Sequence, residues 1–241
     1  MKMNNNFLKF ILITFILFLL GALLVFYVVE NPTDSMVERT LSPDNIWRTL
    51  REHLIIVGVT MAGALAVGIP GGILLSRPRF YYLGKVFENI VNIGQTVPSL
   101  AILAIFYTIL GLGFNTAVFA IWLYSILPIL RNTFAGITSI SDEIIESAKG
   151  MGMKNWRILS RIELPLAAPI IVAGIRTAVV INVGTATLAT FIGAGGLGDL
   201  IVTGLSIRRD MIIVTGAALS ALLAILLSFW IEQLKSYLVK W

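Results

Sequence analysis

Residues 142–165 read DEIIESAKGMGMKNWRILSRIELP, the one long polar interruption in a chain whose flanking segments are fit for a lipid bilayer. Ser139 with Asp142 three residues later, and Asp142 and Glu143 in a first turn, are start signals that complement a helix macrodipole. A short helix is therefore predicted from Asp142. Ile144, Ile145, Ala148 and Met151 fall at i, i+1, i+4 and i+7, which is one apolar stripe. Gly150 and Gly152 offer the permissive backbone at which such a helix ends and the chain turns. A second helical piece is predicted over about residues 154–162, stopping before Pro165. Two uses suit this amphipathic element. It docks to a partner protein, or it lies flat on lipid headgroups with Lys149, Lys154, Arg157 and Arg161 toward phosphate.

Composition settles what surrounds it. Hydrophobic residues make up 57% of the chain, charged residues 13%, and mean hydropathy is +0.91. That balance places the chain far from soluble domains and makes it an all-α, multi-spanning membrane protein. A net charge of +5 raises nucleic acid as a partner, but the basic residues sit at the ends of apolar runs and form no patch. The expected partner is the lipid bilayer, with no nucleic acid. There is no cysteine, so disulfides, thiol catalysis and thiolate metal sites are excluded. His53 is the sole histidine and reads as an interfacial residue, so neither a catalytic nor a metal role is expected.

Residues 10–29 are uncharged and have the length of about 20 residues that a hydrocarbon core requires. They read as an extra N-terminal span, with a secretory signal peptide as the rival, although no small-x-small cleavage site follows. Residues 30–52 are polar and are expected as an external loop. Residues 53–235 form the main membrane domain, with helices over about 54–76, 90–110, 114–130, 166–191 and 211–230, and residues 236–241 form a tail. That makes about six transmembrane helices. On this layout twelve Lys and Arg residues fall on the side of the docking stretch and five on the other, with Arg176 left inside the fifth span. The positive-inside rule then puts both termini and residues 142–165 in the cytoplasm.

Polar groups at membrane depth are the next candidates. Glu88, Asn89, Asn92, Gln95, Thr96 and Ser99 project within one arc if the third span is a regular helix, though Pro98 makes the phase beyond it unsafe. Such a face lines a water-filled path or bonds to neighbouring helices. Arg176 requires a partner, a carboxylate such as Glu88 or backbone carbonyls, and either serves the path or braces the bundle. Gly193, Gly195, Gly196 and Gly198 include a formal G-x-G-x-x-G, but no strand precedes it, so a flexible or re-entrant external gate is the better reading. No G-x-x-x-x-G-K-[ST] occurs, so ATP is not held by that device.

Glu146, Ser147 and Ala148, then Gly152, then Ile162, Leu164 and Pro165 resemble the coupling motif of ABC importer permeases: EAA, three residues, G, nine residues, I-x-L-P. Only Ser147 departs from it. GIPGGILLSRPR at 68–79, GQTVPSLAILAI at 94–105 and GIRTAVVINVGTATLATFIGAGGLGDLI at 174–201 are similar to the permease subunits of osmoprotectant importers. That group handles glycine betaine, carnitine and choline under osmotic stress. The resemblance runs from about residue 53 to 223 and leaves the first fifty residues without a counterpart. It implies a type I importer fold in a bacterial cytoplasmic membrane, with two permease subunits, identical or related, forming the path. It also implies a separate cytoplasmic ATPase that binds ATP and magnesium, and an extracytoplasmic substrate-binding protein. Glu146 and Gly152 are the implied coupling contacts, and no cofactor is expected in this chain. Nothing here resembles an aromatic cage for a quaternary ammonium, so selection is assigned to the binding component. The alternatives are an importer for another small solute, of amino acid or methionine type, a secondary transporter, or a membrane enzyme. The last two lack the mid-span charges and the convergent catalytic groups they would need.

Overall fold

The structure, a computed structural model, describes residues 5–238, with side chains described at 8–91 and 94–233. Its helices are α1 (Asn5–Glu30), α2 (Ser35–Thr40), α3 (Pro43–Leu75), α4 (Tyr81–Gly94), α5 (Ser99–Leu110), α6 (Phe114–Thr138), α7 (Asp142–Gly150), α8 (Asn155–Ile158), α9 (Leu164–Ala186), α10 (Gly198–Ile207) and α11 (Asp210–Leu238). A π-type turn (Leu159–Glu163) joins α8 to α9, and a 3-10 turn (Thr187–Ile192) extends α9. Five stretches are long and apolar enough to cross a bilayer: Leu8–Glu30, Pro43–Leu75, Phe114–Thr138, Asn155–Ile192 and Asp210–Gln233. Together α4 and α5 make a sixth passage in two pieces.

The core lies where α6 packs between α3 and α9. Lipid offers little hydrophobic drive for helices to associate, so close van der Waals fit has to hold them. Small residues supply it. A Cβ on Gly72 would fall 2.5 Å from the Thr133 Cβ, and one on Gly174 would fall 2.5 Å from the Asn132 Cβ. Ile56, Ala64, Ile121, Ile129, Ala178 and Val183 fill the space between. One buried polar knot pins all three helices: the Asn182 amide donates to Thr60 Oγ1 and Ser125 Oγ, both at 2.8 Å. Those hydroxyls donate to Ile56 O and Ile121 O of their own helices, which leaves both satisfied.

A second cluster caps the end of the bundle away from α7. Val28, Val37, Leu41, Ile46, Leu197, Leu200 and Ile212 bring together α1, α2, the start of α3, α10 and α11. Below it α1 runs antiparallel along α11, with Phe10 stacked on Phe229 at 5.7 Å and Trp230 Nε1 donating to Thr14 Oγ1. Most of α1 faces outward.

Several expected boundaries are corrected. Residues 30–52 are not a loop: they hold α2 and the first turns of α3, which opens with Pro43 in its first turn and Asp44 behind it. Those are ordinary start signals, hidden because a stretch this charged does not read as a span. The third span is broken at residues 95–98, where Pro98 cannot continue the hydrogen-bond ladder, and its first half begins at Tyr81. The fourth span continues to Thr138, eight residues past the expected 130. Asn132 and Thr133 bond back to Pro128 O and Ile129 O, so polarity there does not end the helix. The piece expected to stop before Pro165 does not stop. The ladder widens through the π-type turn and takes Pro165 into the first turn of α9, where a missing N–H is tolerated. Ser139 caps nothing at α7, since its hydroxyl donates to Gly136 O and Ser141 holds the N-cap position.

Candidate functional site

The predicted docking element is α7, a nine-residue helix projecting beyond the bundle. Asp142 and Glu143 stand in its first turn and Lys149 in its last, matching the helix dipole at both ends. It closes with a pair of bonds, Met153 N–H to Ala148 O at 3.1 Å and Gly152 N–H to Lys149 O at 2.9 Å. That is the Schellman pattern, and it sets Gly152 at φ +76°. A Cβ at Gly152 would meet nothing within 4 Å, so glycine is required there by backbone conformation and not by lack of space.

Along the apolar stripe Ala148 is buried, whereas Ile144 and Met151 are exposed, and Trp156 on α8 is 71% exposed. Glu146 and Ser147 are exposed beside them. Large apolar groups standing free on a projecting element form a surface that suits a partner protein. Ile162, Leu164 and Pro165 are half-buried at the junction with α9. Between Ile162 and Leu164 stands Glu163, which no sequence argument singled out. Its carboxylate is buried and accepts two bonds from Arg77, Nη1 to Oε1 at 3.1 Å and Nη2 to Oε2 at 2.7 Å. Arg77 is one of the twelve basic residues counted on that side of the chain.

The polar arc is not one continuous face. Asn89 lies on α4, Gln95 and Thr96 lie in the break, and Ser99 opens α5, so the turn at Pro98 resets the phase. Asn89 and Thr96 are exposed and Gln95 and Ser99 half-buried, while the Asn92 side chain lies outside the described residues. The break is held by Tyr124 of α6, whose hydroxyl donates to Gln95 O at 3.2 Å. Arg176 does not pair with Glu88. Its Nε donates to Ser228 Oγ at 2.8 Å and its Nη1 to Glu232 at 3.1 Å, so it joins α9 to α11. At 1.5 Å per residue Arg176 sits about 24 Å from Ile192 and about 18 Å from Leu164 along its helix, close to the middle of that passage.

The glycine run is ordered. Gly193, Gly195 and Gly196 take positive φ, at +73°, +79° and +98°, and Gly198 begins α10. Glu52, in the N-terminal part of α3, accepts the Gly196 N–H at 3.0 Å, and the buried His53 lies against Gly196. Thr190 donates to Asp199 across the same turn. Asp34 caps α2 and pairs with Arg209, so the Val37 N–H and the guanidinium hold its carboxyl below the ordinary range. Among the described residues no three His, Asp or Glu side chains gather as a metal site.

The model of the family described as binding-protein-dependent transport system inner membrane component matches residues 68–241. The glycine betaine/carnitine/choline transport system permease protein OpuCD of Bacillus subtilis is 47% identical over 192 residues, covering 78% of this chain and 83% of that protein. The osmoprotectant import permease protein OsmY of Salmonella typhimurium is 45% identical over 177 residues, covering 73% and 75%. The carnitine transport permease protein OpuCD of Listeria monocytogenes is 43% identical over 194 residues, covering 79% and 84%. In fold the chain is similar to a chain of the inward-facing MetNI methionine ABC transporter, with a TM-score of 0.71 at 23% identity, covering 81% of this chain and 96% of that one. A six-passage helical bundle with a projecting, Schellman-closed helix, matched by this family model over most of its length, belongs to the binding-protein-dependent transport system inner membrane components: the chain is a multi-pass membrane permease subunit of an ABC importer.

Proposed function

We propose that this permease serves an importer of compatible solutes, quaternary ammonium osmoprotectants of the glycine betaine, carnitine and choline class. An importer of this class implies an ATPase and a binding protein as partners. In this reading α7 docks in a groove of the cytoplasmic ATPase, which binds ATP and magnesium, and a second permease subunit completes the path. The extracytoplasmic binding protein delivers the solute to the face that carries α10. Both termini and α7 lie in the cytoplasm. Asn89, Gln95, Thr96 and Ser99 border the path, and the ordered run 193–198 gates its outer end. The observation that carries coupling is the closed turn at Gly152, which presents exposed apolar side chains on a joint of fixed geometry. What supports the solute class is the naming of relatives at 43–47% identity. The methionine transporter, at 23% identity, speaks for the fold alone.

The test is reconstitution with the ATPase and binding protein, measuring uptake of labelled glycine betaine, carnitine, choline and methionine beside stimulated ATP hydrolysis. Betaine-class uptake without methionine uptake is expected. Gly152→Asp puts a side chain on a positive φ and a charge beside the docking face. Stimulated uptake should fall about tenfold or more, the scale of a lost coupling of a few kcal/mol, with binding-protein docking unchanged. Wild-type uptake and hydrolysis in this variant would remove α7 as the coupling element.

A further inference from the structure

Because α7 packs chiefly on α8, a displacement of it has few routes into the membrane bundle. A cleft of about 850 Å³ separates it from the ends of α3 and α6, with Arg77, Tyr81, Ile145, Lys149, Ile158 and Glu163 on its walls. The route must therefore run through α8 and the π-type turn. Glu163 is the last residue of that turn and is buried against Arg77.

The bridge is built to transmit displacement. Two parallel N–H···O bonds between a planar guanidinium and a carboxylate fix orientation as well as distance. Arg77 is itself held: its Nε donates to Ile73 O at 3.1 Å and its Nη2 to Ser76 Oγ at 3.1 Å, so the cation is locked onto the C-terminal end of α3. Beyond that anchor α3 is seated in α6 at Gly68 and Gly72, where backbones approach too closely for a side chain. Its outer part carries Glu52, which holds the Gly196 N–H. One helix thus has its inner end bonded to the coupling segment and its outer part bonded to the glycine run.

We propose that the pair Arg77 and Glu163 is the positioning joint that makes α3 follow the coupling segment, so that ATP-driven movement of α7 reaches the outer gate. This inference rests on the coupling reading of α7. Neither residue touches the solute; both act through α3.

The test uses the complete complex with its own ATPase and binding protein in proteoliposomes, with glycine betaine as the probe. It compares wild type, Glu163→Gln, Arg77→Gln, the exchange of Arg77→Glu with Glu163→Arg, and Gly152→Asp. Glu163→Gln keeps the shape and removes the charge. It should leave ATPase co-purification intact and stimulated hydrolysis within about twofold, while solute moved per ATP falls about tenfold. The exchange should recover part of that loss, because it restores the ion pair but not the bonds to Ile73 O and Ser76 Oγ; a bystander pair would show no recovery. A second measurement needs no transported solute. Spin labels at Arg51→Cys and Leu205→Cys, both exposed, should change separation on trapping with ATP and vanadate in the wild-type background and stay fixed with Glu163→Gln. An unchanged solute-to-ATP ratio in both single variants overturns the proposal. So does loss of assembly in step with transport, since the pair would then be a brace. If Gly152→Asp also behaves as wild type, the coupling reading of α7 has failed. If Gly152→Asp uncouples and Glu163→Gln does not, only the joint has failed.

Discussion

Single residues carry unequal weight in this chain, and the glycines show it. A Cβ on Gly198 would lie 1.9 Å from Thr187 O, a backbone atom that cannot step aside, whereas one on Gly184 would meet nothing within 4 Å. Gly198→Ala should cost at least about 3 kcal/mol and lower the melting temperature in detergent by roughly 6–12 °C. Gly184→Ala, on a regular part of α9, should stay within about 0.5 kcal/mol. A thermal scan of the two purified variants checks both, and equal melting would disprove the crowded-turn reading. From sequence, Gly198 was no more than one glycine of a formal motif, because crowding by a carbonyl eleven positions earlier exists only once the 3-10 turn has folded. Gly152 was legible, since a helix stop and a positive φ are local matters. The pairing of Arg77 with Glu163 was not: 86 positions separate them, and each has a local explanation that hides the other.

At the level of elements, hydropathy located the spans but not the helices, because it reports where lipid ends. Polar side chains that bond back to their own carbonyls let α6 run on past the end of its apolar stretch, and a π-type turn lets α8 flow into α9 across a proline. The broken passage of α4 and α5 is the opposite case: Pro98 announced a disturbance, but not that the ladder stops and restarts. Its stability rests partly on Tyr124, from an element that no local pattern connects with it. Removing the hydroxyl in Tyr124→Phe deletes one bond of about 1 kcal/mol, so amide exchange across residues 94–97 should quicken about fivefold. Exchange within α6 should not change. Hydrogen exchange in nanodiscs followed by mass spectrometry reads both regions, and an unaltered rate at the break would show that the hydroxyl contributes nothing there.

For the molecule as a whole, the antiparallel run of α1 along α11 places the starts of α1 and the ends of α11 at one face, with α7. On the charge split we propose that this face is the cytoplasmic one. Ser141→Cys, exposed and the sole thiol in the chain, should resist an impermeant maleimide in intact cells and react fully once they are opened. Labelling before permeabilisation would invert the topology. The six-passage architecture was legible because apolar length and basic flanks are written along the chain. The opposite face was misread as loop because charge there masks helical order. That order has a thermodynamic consequence. Asp34 with Arg209, Glu52 with Gly196, and the apolar cluster beneath them are already in place, so a protein landing on this deck need not fold any of it. Its association should then carry a heat-capacity change set by the apolar area it covers, without the excess that accompanies coupled folding.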